Sequence, residues 1–217
     1  MGLLPCSHAS ELRRYETGYE SISKISFDLY KALDAKKRAH LTPVPLLAEK
    51  VVTPYLQATL YFDGTNSWQA VTISSGFINF ITYLSHAKAL EGSQSGLLDN
   101  YVTTLAQSRD SLPQLRPIAN NESWSFDTMN HQVSHFNQIV GDMIAIEMAH
   151  HYLGHYQKYE AQLKSGTVPI NSLLTPKEWH EAVMKGARNA LDCGISVEGF
   201  CLMLQTLEKM KSRPDWA

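Results

Sequence analysis

No stretch of this 217-residue chain stays apolar for the roughly 18 residues that a membrane span needs. The longest candidate, Gly76 to Leu84, is broken by Asn79 and Thr82. Met1 to Cys6 has neither a charged start nor a long enough apolar part for a cleavable leader, so an exported form would need a leader preceding these residues. Cysteine is scarce: Cys6, Cys193 and Cys201 form no CxxC pair and no disulfide framework. That usage leans towards a reducing, cytoplasmic compartment, with Cys193 and Cys201 expected as small buried apolar groups. Charge of either sign is not in excess. The formal net charge is -2, and the densest basic run, Lys36-Lys37-Arg38, has the length of a solvated helix end. Nucleic-acid binding by phosphate neutralisation is therefore not expected. There is no internal repeat and no low-complexity tract.

What is present is enough apolar material, 44% of residues, for one soluble domain with a sizeable core. Tyr15, Tyr19, Ile22, Leu29 and Leu33 form the apolar stripe of a long first helix. Leu41 to Leu47 carries two prolines and is expected to be a connection. Tyr55 to Phe62 and Trp68 to Ser74 are rich in aromatic and β-branched residues, and Asp63-Gly64-Thr65-Asn66 between them is turn chemistry, so a β-hairpin is predicted. A helix over Phe77 to Leu90 follows, then a Gly/Ser-rich linker, Glu91 to Gly96. A helix near Leu97 to Ser108 leads to a loop at Leu112 to Glu122. A long helical region is predicted from Asp127 to Lys164, after which Ser165 to Leu174 interrupts it. Thr175, Pro176 and Glu178 make a capping box with proline at N1, for a helix that ends at Gly194. Ser196 is expected to cap a last helix reaching Met210. The segments are then 1–50, N-terminal and helical; 55–90, hairpin and helix; 91–126, an insertion; and 127–217, a histidine-bearing helical part. The fold class expected is α+β, mainly helical, with a small sheet packed on that part.

Six of the nine histidines lie between His131 and His180. In Glu147-Met-Ala-His-His-Tyr-Leu-Gly-His-Tyr156, His151 and His155 are four apart, which on a helix brings both imidazoles to one face. On a wheel of about 100° per residue, Glu147 and His155 flank His151 while His150 and Tyr152 diverge from it. Gly154 leaves space beside the pair for another backbone. Two imidazoles make a poor zinc site, since catalytic zinc takes three protein ligands and keeps a place for water. Glu181, in His180-Glu181-Ala182 early in the helix capped by Thr175, is the candidate third ligand. His131 and His135 have the same spacing and are a candidate second pair. Left without a metal, the histidines are expected as polar core groups hydrogen-bonded to backbone.

Several pieces resemble, in order, the HtpX-like and CAAX-prenyl-protease-like zinc metallopeptidases, a gluzincin group with a zincin-like fold. Gln69 to Ile78 resembles the family's edge strand and its Ser-Gly-Leu-type turn into a helix. Ala145 to Tyr156 resembles the helix carrying Ala-His-Glu-Leu-Gly-His, Glu181-Ala182 the start of Glu-Ala-Asp, and Gly194 with Gly199 to Met210 the Ala-Gly-Tyr segment and the helix after it. Ser212-Arg-Pro214 is faintly similar to a terminal His-Pro segment. The resemblance covers about Leu60 to Trp216 and implies one zinc ion on His151, His155 and Glu181, with an extended peptide pairing along the strand near Val71. The departures are as informative. Tyr152 stands where the family has the glutamate that activates zinc-bound water, and a phenol with a pKa near 10 is a poor base at neutral pH. Val183 replaces the family's aspartate.

Three functions follow. A zinc hydrolase would need another proton-handling group, for which Glu147, His150, Tyr152 and His180 are the candidates. A non-catalytic relative would keep the scaffold and bind peptides or partners. A DinB-like four-helix metal protein would also place His-x-x-x-His late in a helical chain, but has no use for a hairpin.

Overall fold

The computed structural model describes residues 6–41, 46–64, 66–108, 112–113, 115, 124–165 and 172–210, with side chains described from residue 18 onward. Thr65 of the hairpin turn, the side chains of Cys6 and Tyr15, Ser212-Arg-Pro214, and most of the loops expected at 112–122 and 165–174 lie outside them.

Helix α1 spans Cys6–Ala32, and its stripe is core: Ile22, Leu29 and the following Leu33 are buried. Asp34 then caps a short helix α2, Ala35–Ala39, by accepting from the Lys37 N–H; Lys36-Lys37-Arg38 lies on it. The next element departs from the expected connection. Leu46–Glu49 forms strand β1 and pairs in parallel with a later strand. Four residues after a proline-rich stretch carry too short an alternation to be recognised alone.

The hairpin is as the sequence predicts, with β2 over Leu56–Asp63 and β3 over Asn66–Ser74 in antiparallel register from Leu56↔Ile73 to Asp63↔Asn66. The sheet order is β1-β3-β2, so β3 is central. Alternation along the strands puts Leu46, Ala48, Ala58, Leu60, Val71 and Ile73 on one face, where they meet the helices. Ser74 Oγ caps helix α3, Ser75–Leu90, by accepting from the Phe77 N–H. The tight entry needs a glycine: a Cβ at Gly76 would stand 2.0 Å from the Val52 carbonyl oxygen.

Helix α4, Leu97–Gln107, buries Leu98, Tyr101, Val102 and Leu105 against α3. Helix α5, Phe126–Tyr152, is the axis of the molecule and packs on α1, α3, the sheet, α7 (Pro176–Asp192) and α8 (Glu198–Lys209). The expected continuous helix to Lys164 is broken. After α5 come a turn, a 3₁₀ segment Gln157–Tyr159 and the short helix α6, Glu160–Ser165. The capping box at α7 is complete, with Thr175 Oγ1 accepting from the Glu178 N–H and Glu178 Oε2 from the Thr175 N–H. Gly194, with φ +82°, ends α7 as anticipated. Ser196 contributes a 3.2 Å bond from the Glu198 N–H, but Val197 is the N-cap of α8, and the first turn leans on another element: Asp142 of α5 accepts from the Phe200 N–H at 2.8 Å. Cys193 is only half-buried, against the edge of the core, and Cys201 is exposed, so neither thiol is buried as expected. The architecture is mainly helical α+β with a three-stranded sheet, which an all-helical bundle does not contain. No helix among the described residues is long and apolar enough to cross a membrane.

Candidate functional site

The histidine-rich segment lies where α5 stops. Leu153 is the C-cap, Gly154 has φ +71°, the Gly154 N–H donates to the His151 carbonyl and the His155 N–H to the His150 carbonyl, both at 3.0 Å. This is a Schellman motif, the same device that ends α7 at Gly194. A Cβ at Gly154 would meet only Gln157 Oε1, at 3.9 Å, so the glycine serves the turn and not a close backbone approach. His155 is therefore three residues beyond Tyr152, the last residue of α5, and the one-face relation between His151 and His155 does not hold.

Five polar side chains are nonetheless buried together here: Glu147, His150, His151, His155 and Tyr156 are each at most 3% exposed. Two of them face the sheet. Glu147 Oε2 accepts the Ala58 N–H at 2.6 Å. Hydrogen-bonded pairs alternate along an antiparallel ladder, and Ala58, opposite Val71, has its N–H turned off the outer edge of β2, where the carboxyl meets it. His151 Nε2 lies 2.8 Å from the Ala70 carbonyl oxygen of β3. A carbonyl only accepts, so Nε2 carries the proton and His151 Nδ1 is the free acceptor. Burial pushes Glu147 up to about 7, against the lowering effect of the Ala58 N–H. Burial pulls His151 down to about 4, against the Ala70 carbonyl, so the ring is neutral in the fold.

The others face α7. His150 Nδ1 and His155 Nδ1 are 3.0 Å apart, and His155 Nε2 is 3.8 Å from Glu181 Oε2. The arrangement with His155 Nε2–H towards the carboxylate leaves its Nδ1 to accept from His150 Nδ1–H. The His150 ring also sits edge-on to Trp179, with centroids 4.9 Å apart. Burial, then the neighbouring His155 and His151, pull His150 down to about 3; burial also lowers His155. Glu178, opposite, is held down at about 2: desolvation opposes this, but Lys158 and the Thr175 N–H and hydroxyl outweigh it.

The candidates from sequence are thus divided. His155 and Glu181 approach each other, but Glu181 is 46% exposed and His151 is turned to the sheet with its Nε2–H on the Ala70 carbonyl. The three do not converge on one point, and among the described residues no group of three or more His, Cys, Asp or Glu side chains is arranged to hold an ion. The residues as they stand do not fit zinc in the expected set. Tyr152 is half-buried beside Lys37 of α2, its hydroxyl without a partner, and burial followed by the nearby Asp34 raises its pKa further from a base's range. His180 is exposed. Of the second pair, His131 is exposed, while His135 lines a groove between α5 and α8 with Lys88 and Glu198. The strand expected to receive a peptide is also already flanked. Val71 of β3 pairs with Leu46 on one side and Ala58 on the other, so any added strand must lie along an outer strand instead.

Sequence reasoning passed over the roles of Gly154 as a helix stop and of Ala58 and Ala70 as backbone partners. The first had a signal, because a glycine late in a helix is a common C′ residue; the second had none. Comparison with models of known protein families, with curated proteins and with solved structures gives no match.

Proposed function

We propose that this chain is a peptidase-shaped protein that recognises extended peptides without hydrolysing them. The observation that carries this reading is the commitment of Glu147 and His151 to the β2 and β3 backbone. A general base must reach the proton it abstracts, and the one carboxylate buried in the cluster is held against Ala58 instead. Tyr152 offers no base, and the cluster's rings are enclosed. Recognition is supported by the position of β2 at the sheet edge. The outward N–H of Ala58 is taken by Glu147, but the same alternation turns the N–H groups of Leu60 and Phe62 off this edge, and Phe62 is only half-buried, so an extended chain would pair beside Phe62.

Two measurements test the reading. The purified protein, incubated with unfolded casein and with labelled peptides, is expected to show no cleavage that zinc restores and a chelator removes. Peptides selected from an array are expected to bind the native protein and to lose binding to Phe62→Pro, which deletes an outward N–H and no ladder bond. Chelator-sensitive proteolysis by the native chain would overturn the proposal. It would favour the second reading, a zinc hydrolase using His151, His155 and Glu181, for which the 3.8 Å approach of His155 to Glu181 is the supporting observation.

A further inference from the structure

A second group of titratable side chains gathers away from the histidine segment, where α3, α5 and α8 meet. Gly199 lets α8 press on α5: a Cβ there would stand 2.4 Å from the Gln138 carbonyl carbon. Beside this crossing lies a cavity of about 330 Å³, at the lower end of the range that small-molecule sites occupy. Two opposite charges line it, Lys88 from the last turn of α3 and Glu198 from the first turn of α8. They do not pair with each other. Glu91 takes one of the three donors of the Lys88 ammonium, at 2.5 Å. The Glu198 carboxylate makes no ion pair with any described residue. His135 of α5 lines the same cavity and feels both charges. Burial, then the Lys88 ammonium, pull its pKa below the ordinary value, and Glu198 acts against them. The neutral ring keeps one nitrogen as an acceptor.

We infer that this cavity binds a small zwitterion, an amino acid with its ammonium and carboxylate on a short stem. The carboxylate is met by the Lys88 ammonium, and the ligand's ammonium by the Glu198 carboxylate and the His135 imidazole. A carboxylate alone would also face Glu198, and an amine alone would also face Lys88. A molecule carrying both charges leaves neither wall opposite a like charge, which is how charged walls select a partner. Leu202, buried at 7% exposure, gives the stem an apolar contact, and the exposed Cys201 stands beside it on α8. The cavity shares no residue with the histidine segment or with the edge of β2, so this binding is separate from peptide recognition and goes beyond it.

The test is calorimetric titration of the full chain with glycine, β-alanine and γ-aminobutyrate, whose stems lengthen by one carbon at a time. At least one is expected to saturate with a Kd of about 1 mM or below. Propionate and propylamine each carry one of the two charges and should bind at least about tenfold more weakly. Lys88→Gln and Glu198→Gln should each weaken the best ligand by about tenfold, the size of one lost charge-assisted hydrogen bond. Glu208→Gln, at an exposed acid farther along α8, should leave it unchanged. A second measurement needs no variant. The bound ligand is expected to slow alkylation of Cys201 by iodoacetamide and not that of Cys193, which lies outside the cavity, as read by peptide mass spectrometry. Absence of saturation by all three amino acids would overturn the inference. So would equal binding of propionate or propylamine, unchanged affinity in both folded variants, or alkylation of Cys201 that the ligand does not slow.

Discussion

Replacing Gly154 by alanine distinguishes two structures of the histidine segment by the sign of one number. If the helix ran on through His155, as the i, i+4 spacing suggests, Gly154 would be an interior helical residue, and alanine would stabilise it by about 1 kcal/mol. In the structure Gly154 holds φ +71° as the C′ residue of α5. A Cβ there meets nothing nearer than Gln157 Oε1 at 3.9 Å, so no steric clash contributes. The cost is that of a left-handed conformation for an L-residue, about 1–2 kcal/mol. For a chain of this size that is a fall in Tm of roughly 2–8 °C. Gly194, at φ +82° with open space around its Cβ position, is the matched control, and Gly194→Ala should fall by a similar amount. The assay is urea and thermal unfolding followed by circular dichroism on the three proteins. A Gly154→Ala variant more stable than wild type would refute the helix end, and with it the separation of His155 from His151.

Other outcomes follow from the same packing. Glu147 is held at about 7 in the fold, above its ordinary 4.5, so the folded chain keeps a proton that the unfolded chain releases. Its contribution is complete below about pH 4.5 and is lost as pH rises through about 7, a change of about 3 kcal/mol. Because neutral His150 and His151 act in the opposite direction as pH falls below 6.5, the quantity to measure is wild type minus Glu147→Gln; a difference constant between pH 5.5 and 7.5 would contradict this. Tyr152→Glu writes His-Glu-Leu-Gly-His across 151–155, yet it is expected to bring no zinc-dependent cleavage of casein, since His155 lies past the helix end; a gain would restore the sequence register. Thr175→Ala removes one half of the α7 capping box and should cost about 1 kcal/mol in urea unfolding, with α7 fraying first by hydrogen exchange.

Much of the fold was legible before the structure. The stripe Ile22, Leu29, Leu33, the hairpin centred on Asp63-Gly64, the Thr175-Pro176-Glu178 start and the Gly194 stop are local features, each set by neighbours within a few residues, and local periodicity and capping chemistry suffice to place them. Strand β1 was not legible, because Leu46–Glu49 is a strand only through its pairing with β3. The candidate site divided in the same way. The sequence by itself determined that histidine and carboxylate side chains would crowd the end of one helix. Tertiary structure alone decided what they face: Ala58 is 89 residues from Glu147 and Ala70 is 81 from His151. A buried polar group must satisfy its hydrogen bonds with whatever the fold brings within 3 Å, and that partner is set by helix-to-sheet packing. For the same reason the packing of Ile146 against Trp179 carries no signal in the isolated letters, and exists only where α5 and α7 close on one another.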